Sequence, residues 1–296
     1  MDNCRLCPRE CGADRSNGKT GYCGESDTLR VARIAPHFFE EPVISGTRGS
    51  GTVFFSGCSL GCVFCQNRDI SRRGGSGREI TERELYDAIL ALQESGVHNI
   101  NLVTPTHFLH RLIPLLQRLK ASGELRIPVV YNTSGYERLD TLRMLDGLVD
   151  IYMPDFKYFS PALAKKYSSA PDYPAIATEA LCEMLSQVGK YRYSDSEPNI
   201  LASGLIVRHL VLPSCKADSI SALEHIAAIL PPQDILLSLM SQYTPDFALD
   251  TPHKELHRRV TTFEYQKVVE RAEALGFEGF IQSKEAASAR FTPDFK

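Results

Sequence analysis

Six short apolar runs, each followed by an amphipathic stretch of helical period, constrain this chain more than any other feature. They are TVFFS (52–56), NINLV (99–103), IPVVY (127–131), VDIYM (149–153), LIVRHLV (205–211) and DILLSLM (234–240). The runs are mostly apolar on both faces, as strands are when helices cover both sides of a sheet. Strands alternating with helices build right-handed βα units and a parallel sheet. Helix starts stand between the runs. Thr81 with Glu84 and Thr261 with Glu264 read as capping boxes, with Gly96 and Gly276 closing those helices. Ser134 with Glu137 repeats the box after the third run, and Thr104-Pro105 places a cap and a first-turn proline after the second. Helical patterns between 160 and 190 lengthen the fourth crossover. Residues 1–30, polar and Cys-rich, read as a separate module, 31–50 as a connector, and 51–296 as the βα core domain.

Composition narrows the classes. Of 296 residues, 43% are hydrophobic and 23% charged, the balance of a globular protein. A net charge of −3 offers no basic surface for nucleic acid or anionic membrane. No apolar run approaches the roughly 18 residues of a membrane span, and MDNCRLCPRE lacks the apolar core of a signal peptide. The expectation is a cytoplasmic protein with no nucleic-acid or membrane partner. Seven of its nine cysteines fall within the first 65 residues. In a reducing compartment, clustered thiols read as metal ligands before disulfides.

One cluster, Cys58-x3-Cys62-x2-Cys65, directly follows the first run. Three thiolates on one tight loop hold three irons of a 4Fe–4S cube, and with no fourth cysteine at a matching distance one iron stays open to substrate or cofactor. Structural zinc is the weaker competitor, since it takes four protein ligands in paired knuckles. The bland reading, three unrelated buried thiols, requires that spacing to arise by coincidence at a strand end.

The loop C-x3-C-x-Phe-C at the end of the first strand resembles the radical S-adenosylmethionine (SAM) superfamily. GSGTVFFSGCSLGCVFCQN, VTPTH, YNTSGYE, PDFKY and the ending FTPDF resemble its branch related to pyruvate formate-lyase activating enzymes. The resemblance runs along essentially the whole chain. It implies an α/β fold, a partial (β/α)6 TIM-like barrel behind the small N-terminal module. It implies a 4Fe–4S cluster on Cys58, Cys62 and Cys65 whose open iron chelates SAM. Reductive cleavage then yields methionine and a 5′-deoxyadenosyl radical, which takes hydrogen from a substrate. The same resemblance lays Phe64 against the adenine. It also implies a reductant protein such as flavodoxin or ferredoxin and, for the activating branch, a glycyl-radical enzyme as partner.

Ligands of a βα array gather at the carboxyl ends of its strands. Relatives usually carry Gly-Gly-Glu-Pro after the second strand to read the cofactor's amino group. Here Val103-Thr104-Pro105-Thr106-His107 stands instead, so no glutamate is available there, and the Thr104 hydroxyl and backbone groups are the candidates. After the third strand, Asn132 and Ser134 are candidates for ribose or carboxylate contact, against plain capping by Ser134. After the fourth, Asp155 and Lys157 resemble the Asp-Leu-Lys stretch of activating enzymes; an exposed ion pair is the bland alternative. Arg208 and His209 point to opposite sides of the fifth strand. Arg208 is the candidate for the cofactor carboxylate, and His209 for a satisfied core residue. Gln242 and Tyr243 lie just past the sixth. Cys182 and Cys215 are isolated and read as buried small hydrophobes.

Cys4-x2-Cys7-Pro8-x2-Cys11 with Cys23 supplies four thiolates within 20 residues. So short a module needs a bound metal for stability, either zinc or an auxiliary 4Fe–4S cluster. Three functions follow. The first is activation of a glycyl-radical enzyme, the second radical modification of a small molecule or peptide. The third, a non-catalytic iron–sulfur or zinc protein carrying electrons, is disfavoured because a carrier gains from a closed cluster.

Overall fold

All six apolar runs form strands that lie side by side and parallel. The computed structural model describes residues 2–282 and Phe295; of the FTPDF stretch, 291–294 lie outside the described residues. In chain order the strands are β1 (Arg30–His37), β2 (Ser50–Phe55), β3 (Arg78–Glu79), β4 (Ile100–Val103), β5 (Val129–Thr133) and β6 (Ile151–Pro154), then β7 (Arg192–Tyr193), β8 (Leu201–Leu210), β9 (Leu236–Met240) and β10 (Glu278–Ile281). The helices are α1 (Pro42–Ser45), α2 (Arg68–Ser71), α3 (Glu82–Glu94), α4 (Leu109–Ala121) and α5 (Leu139–Arg143), then α6 (Pro161–Ser168), α7 (Tyr173–Val188), α8 (Lys216–Ile229) and α9 (Thr262–Ala274).

The sheet runs β10-β9-β8-β6-β5-β4-β2-β1-β3. From β2 to β10 every neighbouring pair is parallel, whereas β1 pairs antiparallel with β2 and with β3. The path is not closed, and β10 and β3 form its two edges. This is a partial barrel, as the βα alternation requires. Four strands escaped the periodicity, and two of them, β3 and β7, are only two residues long. β1 lies in the stretch expected to be a connector, where its burial is broken rather than continuous. β10 is short and mostly exposed.

Two apolar layers hold the barrel. Outward residues of the strands, among them Leu102, Tyr131, Tyr152, Val207 and Leu239, share one apolar cluster with Leu85 and Ile89 of α3, Leu112 and Leu116 of α4, Leu181 of α7 and Val268 of α9. Inside, Val130, Ile151, Met153, Ile206 and Leu236 close around Val43 and Ile44 of α1, which plugs one end. Ile44 is fully buried, so Ile44→Ala costs about 2–5 kcal/mol.

Both expected threonine capping boxes form. Glu84 N–H donates to Thr81 Oγ1 at 3.1 Å, and Glu264 N–H to Thr261 Oγ1 at 3.2 Å, each answered by the glutamate side chain. The third box does not. α5 starts at Leu139 with Arg138 at its N-cap, and Glu137 turns into the buried layer on the outer face of the sheet instead, accepting from Thr106 Oγ1 at 2.6 Å and from Thr133 Oγ1. Thr104 caps nothing either. A 3-10 turn, Thr106–Phe108, with Pro105 at its N-cap intervenes before α4, and this frees Thr104 for the rim.

Candidate functional site

The loop that carries Cys58, Cys62 and Cys65 leaves β2 at the carboxyl end of the barrel. Its first turn depends on Gly57, at φ +83°, where a Cβ would sit 2.5 Å from the Glu25 side chain and 2.8 Å from the Cys23 carbonyl. Any other residue there would be strained and would clash with backbone. Each sulfur accepts a hydrogen bond: Cys58 from Leu60 N–H (3.4 Å), Cys62 from Ser168 Oγ (3.1 Å) and Cys65 from Ser71 Oγ (3.4 Å), with the Gly61 and Asn67 backbone also serving Cys58 and Cys65. Such donors stabilise negative sulfur and tune a bound cluster. Burial pushes the Cys58 thiol up and the Cys65 thiol up to about 12, the penalty that ligation to a metal removes.

All three cysteines line one cavity with Phe64, Thr104, Asn132, Ser134, Asp155, Lys157 and Arg208. Every strand-end candidate is therefore gathered in one place, and strand register does the gathering. Val103 pairs with Asn132, Asp155 bridges to Arg208, and Arg208 pairs with Ser238, so the polar side chains form a layer across the barrel mouth. Gln242 and Tyr243 also line it.

The charges are tightly tied. Arg208 Nε is 3.0 Å from Asp155 Oδ1, Lys157 Nζ is 2.6 Å from Asp155 Oδ2, and Arg208 Nη2 donates to Asn132 Oδ1 at 2.6 Å. Side-chain exposures of 12–16% rule out the solvated ion pair at 155 and 157. Burial alone would raise the Asp155 carboxyl, but Arg208 and Lys157 outweigh it and hold the group below its ordinary range. The Tyr173 hydroxyl braces this corner. It lies 2.9 Å from the Ser134 carbonyl and 2.8 Å from that of Asp155, and accepts from Lys157 N–H. His209 points outward, fully buried, a core residue as expected, with Nδ1 2.6 Å from the Phe156 carbonyl and Nε2 buried without a hydrogen-bond partner.

Phe64 sits in an edge-to-face group with Tyr158, Tyr167 and Tyr243, which fixes its ring at the cavity wall. Cys215 is buried as expected, whereas Cys182 is exposed on α7.

The carboxylate missing after β4 arrives from elsewhere. Glu40, in the segment between β1 and α1, lines the cavity and accepts from Asn101 Nδ2 at 3.1 Å, 3.6 Å from Arg208 Nη1. Burial raises its carboxyl to about 7, with Arg208 moderating the rise. The run His37-Phe38-Phe39-Glu40-Glu41-Pro42 has no period that marks this role. Ser71 and Ser168 were equally silent in the sequence, lying 6 and 106 residues from the sulfurs they serve.

The cavity suits a cluster with one open iron and a polar cofactor. It has three thiols and, among the described residues, no fourth cysteine. Among the described residues no three His, Cys, Asp or Glu side chains converge as around a single ion. A four-iron cube makes no such demand, because each thiolate takes its own iron. Ser134 Oγ, Asn67 Oδ1 and Thr244 Oγ1, all on cavity-lining residues, are buried without a hydrogen-bond partner, and a polar ligand would satisfy them. Among the described residues no helix is long and apolar enough to cross a membrane.

Residues 52–191 match the sequence profile of the Radical SAM superfamily. An uncharacterized protein of Methanocaldococcus jannaschii is 27% identical over 281 residues, 92% of this chain and 74% of that protein. A candidate glycyl-radical enzyme activating enzyme of Haemophilus influenzae is 26% identical over 120 residues, 38% of this chain and 43% of that protein. Among solved structures, a radical SAM methyltransferase from Sphaerobacter thermophilus superposes with a TM-score of 0.54 at 16% identity, covering 78% of this chain and 65% of that one. SuiB of Streptococcus suis, bound to its precursor peptide SuiA, gives 0.52 at 12% identity, covering 78% and 48%. This chain thus spans less than two thirds of either structure, and both show likeness of fold. The profile match, the three-thiol loop at the end of β2 and the open parallel barrel agree, and residues 52–191 carry a radical SAM domain.

Proposed function

We propose that this enzyme reductively cleaves SAM and uses the resulting 5′-deoxyadenosyl radical to take a hydrogen atom from a glycine of a partner glycyl-radical enzyme. The observation that carries the first half is the meeting of Cys58, Cys62 and Cys65 with the Asp155–Lys157–Arg208 layer in one cavity. Bound on those thiols, a 4Fe–4S cluster would supply one electron to the sulfonium of SAM and break its S–C5′ bond.

The chain's own residues bind and orient. Arg208 and Lys157 present donors to the methionyl carboxylate, while Asp155 and Glu40 present acceptors to the amino group. Phe64 offers a ring face for the adenine, and Thr104, Asn132 and Ser134 supply hydrogen bonds to the ribose. The Phe64–Tyr158–Tyr167–Tyr243 rings exclude water from this side of the cavity. A reductant protein of the flavodoxin or ferredoxin class delivers the electron.

Support for a glycine of a protein as the target is the likeness to the H. influenzae protein. The test uses a glycyl-radical enzyme from the same genome, labelled with α-deuterated glycine. Anaerobically reconstituted, dithionite-reduced protein should release 5′-deoxyadenosine that carries deuterium. Release without deuterium, and without a partner radical by electron paramagnetic resonance, would move the reading to a small molecule or peptide.

A further inference from the structure

Behind the cluster loop lies a second set of thiols, none of which lines the cavity. Cys4, Cys7 and Cys23 are buried and Cys11 is exposed. A tight turn brings the first three close, with Cys4 N–H donating to the Ala13 carbonyl and Gly12 N–H to that of Cys4, both at 3.1 Å. Cys4 hydrogen-bonds to Cys11, and Cys7 and Cys23 interact electrostatically with each other and with Cys4. Gly21 keeps the space between them open: a Cβ there would stand 2.9 Å from Cys11 Sγ and 3.7 Å from Cys23 Sγ. Beside them the Arg15 guanidinium is buried, 1% exposed, its Nη1 3.9 Å from Cys4 Sγ. A buried cation matches thiolates better than thiols, so ligation would also settle this charge.

This thiol set abuts the cluster loop. The Cys23 carbonyl packs on Gly57, the residue before Cys58. Arg9, two residues after Cys7, donates Nε to the Ser59 carbonyl at 2.9 Å and Nη2 to that of Leu60 at 3.0 Å, and binds the Ser168 and Ser169 carbonyls as well. Its guanidinium lies over the Tyr22 ring at 3.9 Å. The two sets of cysteines are thus joined by single residues on both sides. The outer surface beside Cys11 carries both signs of charge: Glu10 is exposed next to it, and Arg73 is exposed and donates to the Gly21 carbonyl at 3.1 Å.

We propose that Cys4, Cys7, Cys11 and Cys23 hold a second iron–sulfur cluster, and that it passes electrons from a one-electron reductant protein to the cluster of Cys58, Cys62 and Cys65. The proposal rests on the SAM-cleaving reading above. One electron leaves the reductant, which is oxidised by one unit, resides on the second cluster, and moves to the first; no bond forms or breaks until SAM receives it. Zinc is redox-inert and draws its thiolates onto one point, an arrangement no three such groups adopt among the described residues. A cube gives each thiolate its own iron. Cys11 is the exposed one of the four, so a carrier would reach the second cluster at that edge.

The experiment uses the full chain, reconstituted anaerobically, as wild type, as Cys11→Ala, and as the double variant Cys7→Ser with Cys23→Ser. Cys11 is exposed, so its replacement leaves the packing on Gly57 undisturbed. Wild type should hold about eight irons per chain and the double variant, left with two thiolates, about four, as two cubes and one cube require. Flavodoxin-driven formation of 5′-deoxyadenosine should fall at least about tenfold in both variants. The dithionite-driven rate should stay within about twofold, because a small reductant reaches the first cluster directly. One zinc and about four irons in wild type would overturn the proposal. So would an unchanged flavodoxin-driven rate in the variants, or an equal loss with both reductants. If wild type forms no 5′-deoxyadenosine even with dithionite, the SAM-cleaving reading fails instead, and the iron count still decides the second cluster.

Discussion

Arg208 Nε and Asp155 Oδ1 lie 3.0 Å apart, 53 residues apart in sequence, on strands whose ends are joined by a single β-bridge. The pair sits at the floor of the cavity into which Cys58, Cys62 and Cys65 face. Taking one partner from a buried pair leaves an uncompensated charge, and that asymmetry makes the site testable.

Asp155→Asn should leave the iron content of the three-cysteine loop unchanged while weakening SAM binding at least about tenfold, or about 1.4 kcal/mol. Removing the acceptor shared by Arg208 and Lys157 should also lower stability by about 3 kcal/mol. Isothermal titration and chemical denaturation measure the two effects separately. Wild-type values in both would return the pair to a bystander role.

Cys62→Ala should abolish SAM cleavage, since Cys62 is one of only three cysteines on the cavity wall among the described residues. A fall of at least about a hundredfold in 5′-deoxyadenosine formation is expected, as removal of a catalytic ligand costs several kcal/mol. Turnover at the wild-type rate would contradict the loop's assignment.

Glu40 gives SAM binding a pH dependence. Burial lifts its carboxyl to about 7, so the group is neutral at pH 6 and anionic at pH 8. The anion is the stronger acceptor for the N–H groups of the SAM amine. SAM affinity should therefore rise as pH increases through about 7 in wild type and stay flat in Glu40→Gln, the two proteins agreeing at pH 6. Parallel titrations from pH 6 to 8 would show it; identical pH profiles would remove Glu40 from the binding site.

Glu137 predicts a stability change of known sign. Burial raises its carboxyl from 4.5 to about 7. The folded state then binds the proton more tightly than the unfolded chain, so its stabilising contribution is whole below pH 4.5 and lost as pH rises through 7. The loss is up to about 3 kcal/mol, at 1.36 kcal/mol per unit. Glu137→Gln should match wild type near pH 4.5 and exceed it above pH 7. Glu40 has the same sign and window, so the slope should shrink rather than vanish. Denaturant midpoints across that range decide it.

By itself the sequence determined what is local. A strand buried on both faces shows as an apolar run, a helix start as Thr81 with Glu84, and a cluster loop as three cysteines within eight residues after a strand. These signals need only neighbours along the chain, and the six core strands and the thiol loop were legible from them. Ser134-Gly135-Tyr136-Glu137 had the spacing of a capping box, but Glu137 found Thr106 and Thr133 in the buried layer on the outer face of the sheet, and tertiary contact prevailed over local pattern. Only the fold could bring Glu40 from before α1 to Asn101, or Ser168 from α6 to Cys62. These partners are set by strand register and by the path of the chain around an open barrel. Neither leaves a period in the sequence, because the physical requirement, a polar atom satisfied in a buried site, can be met from any distance along the chain.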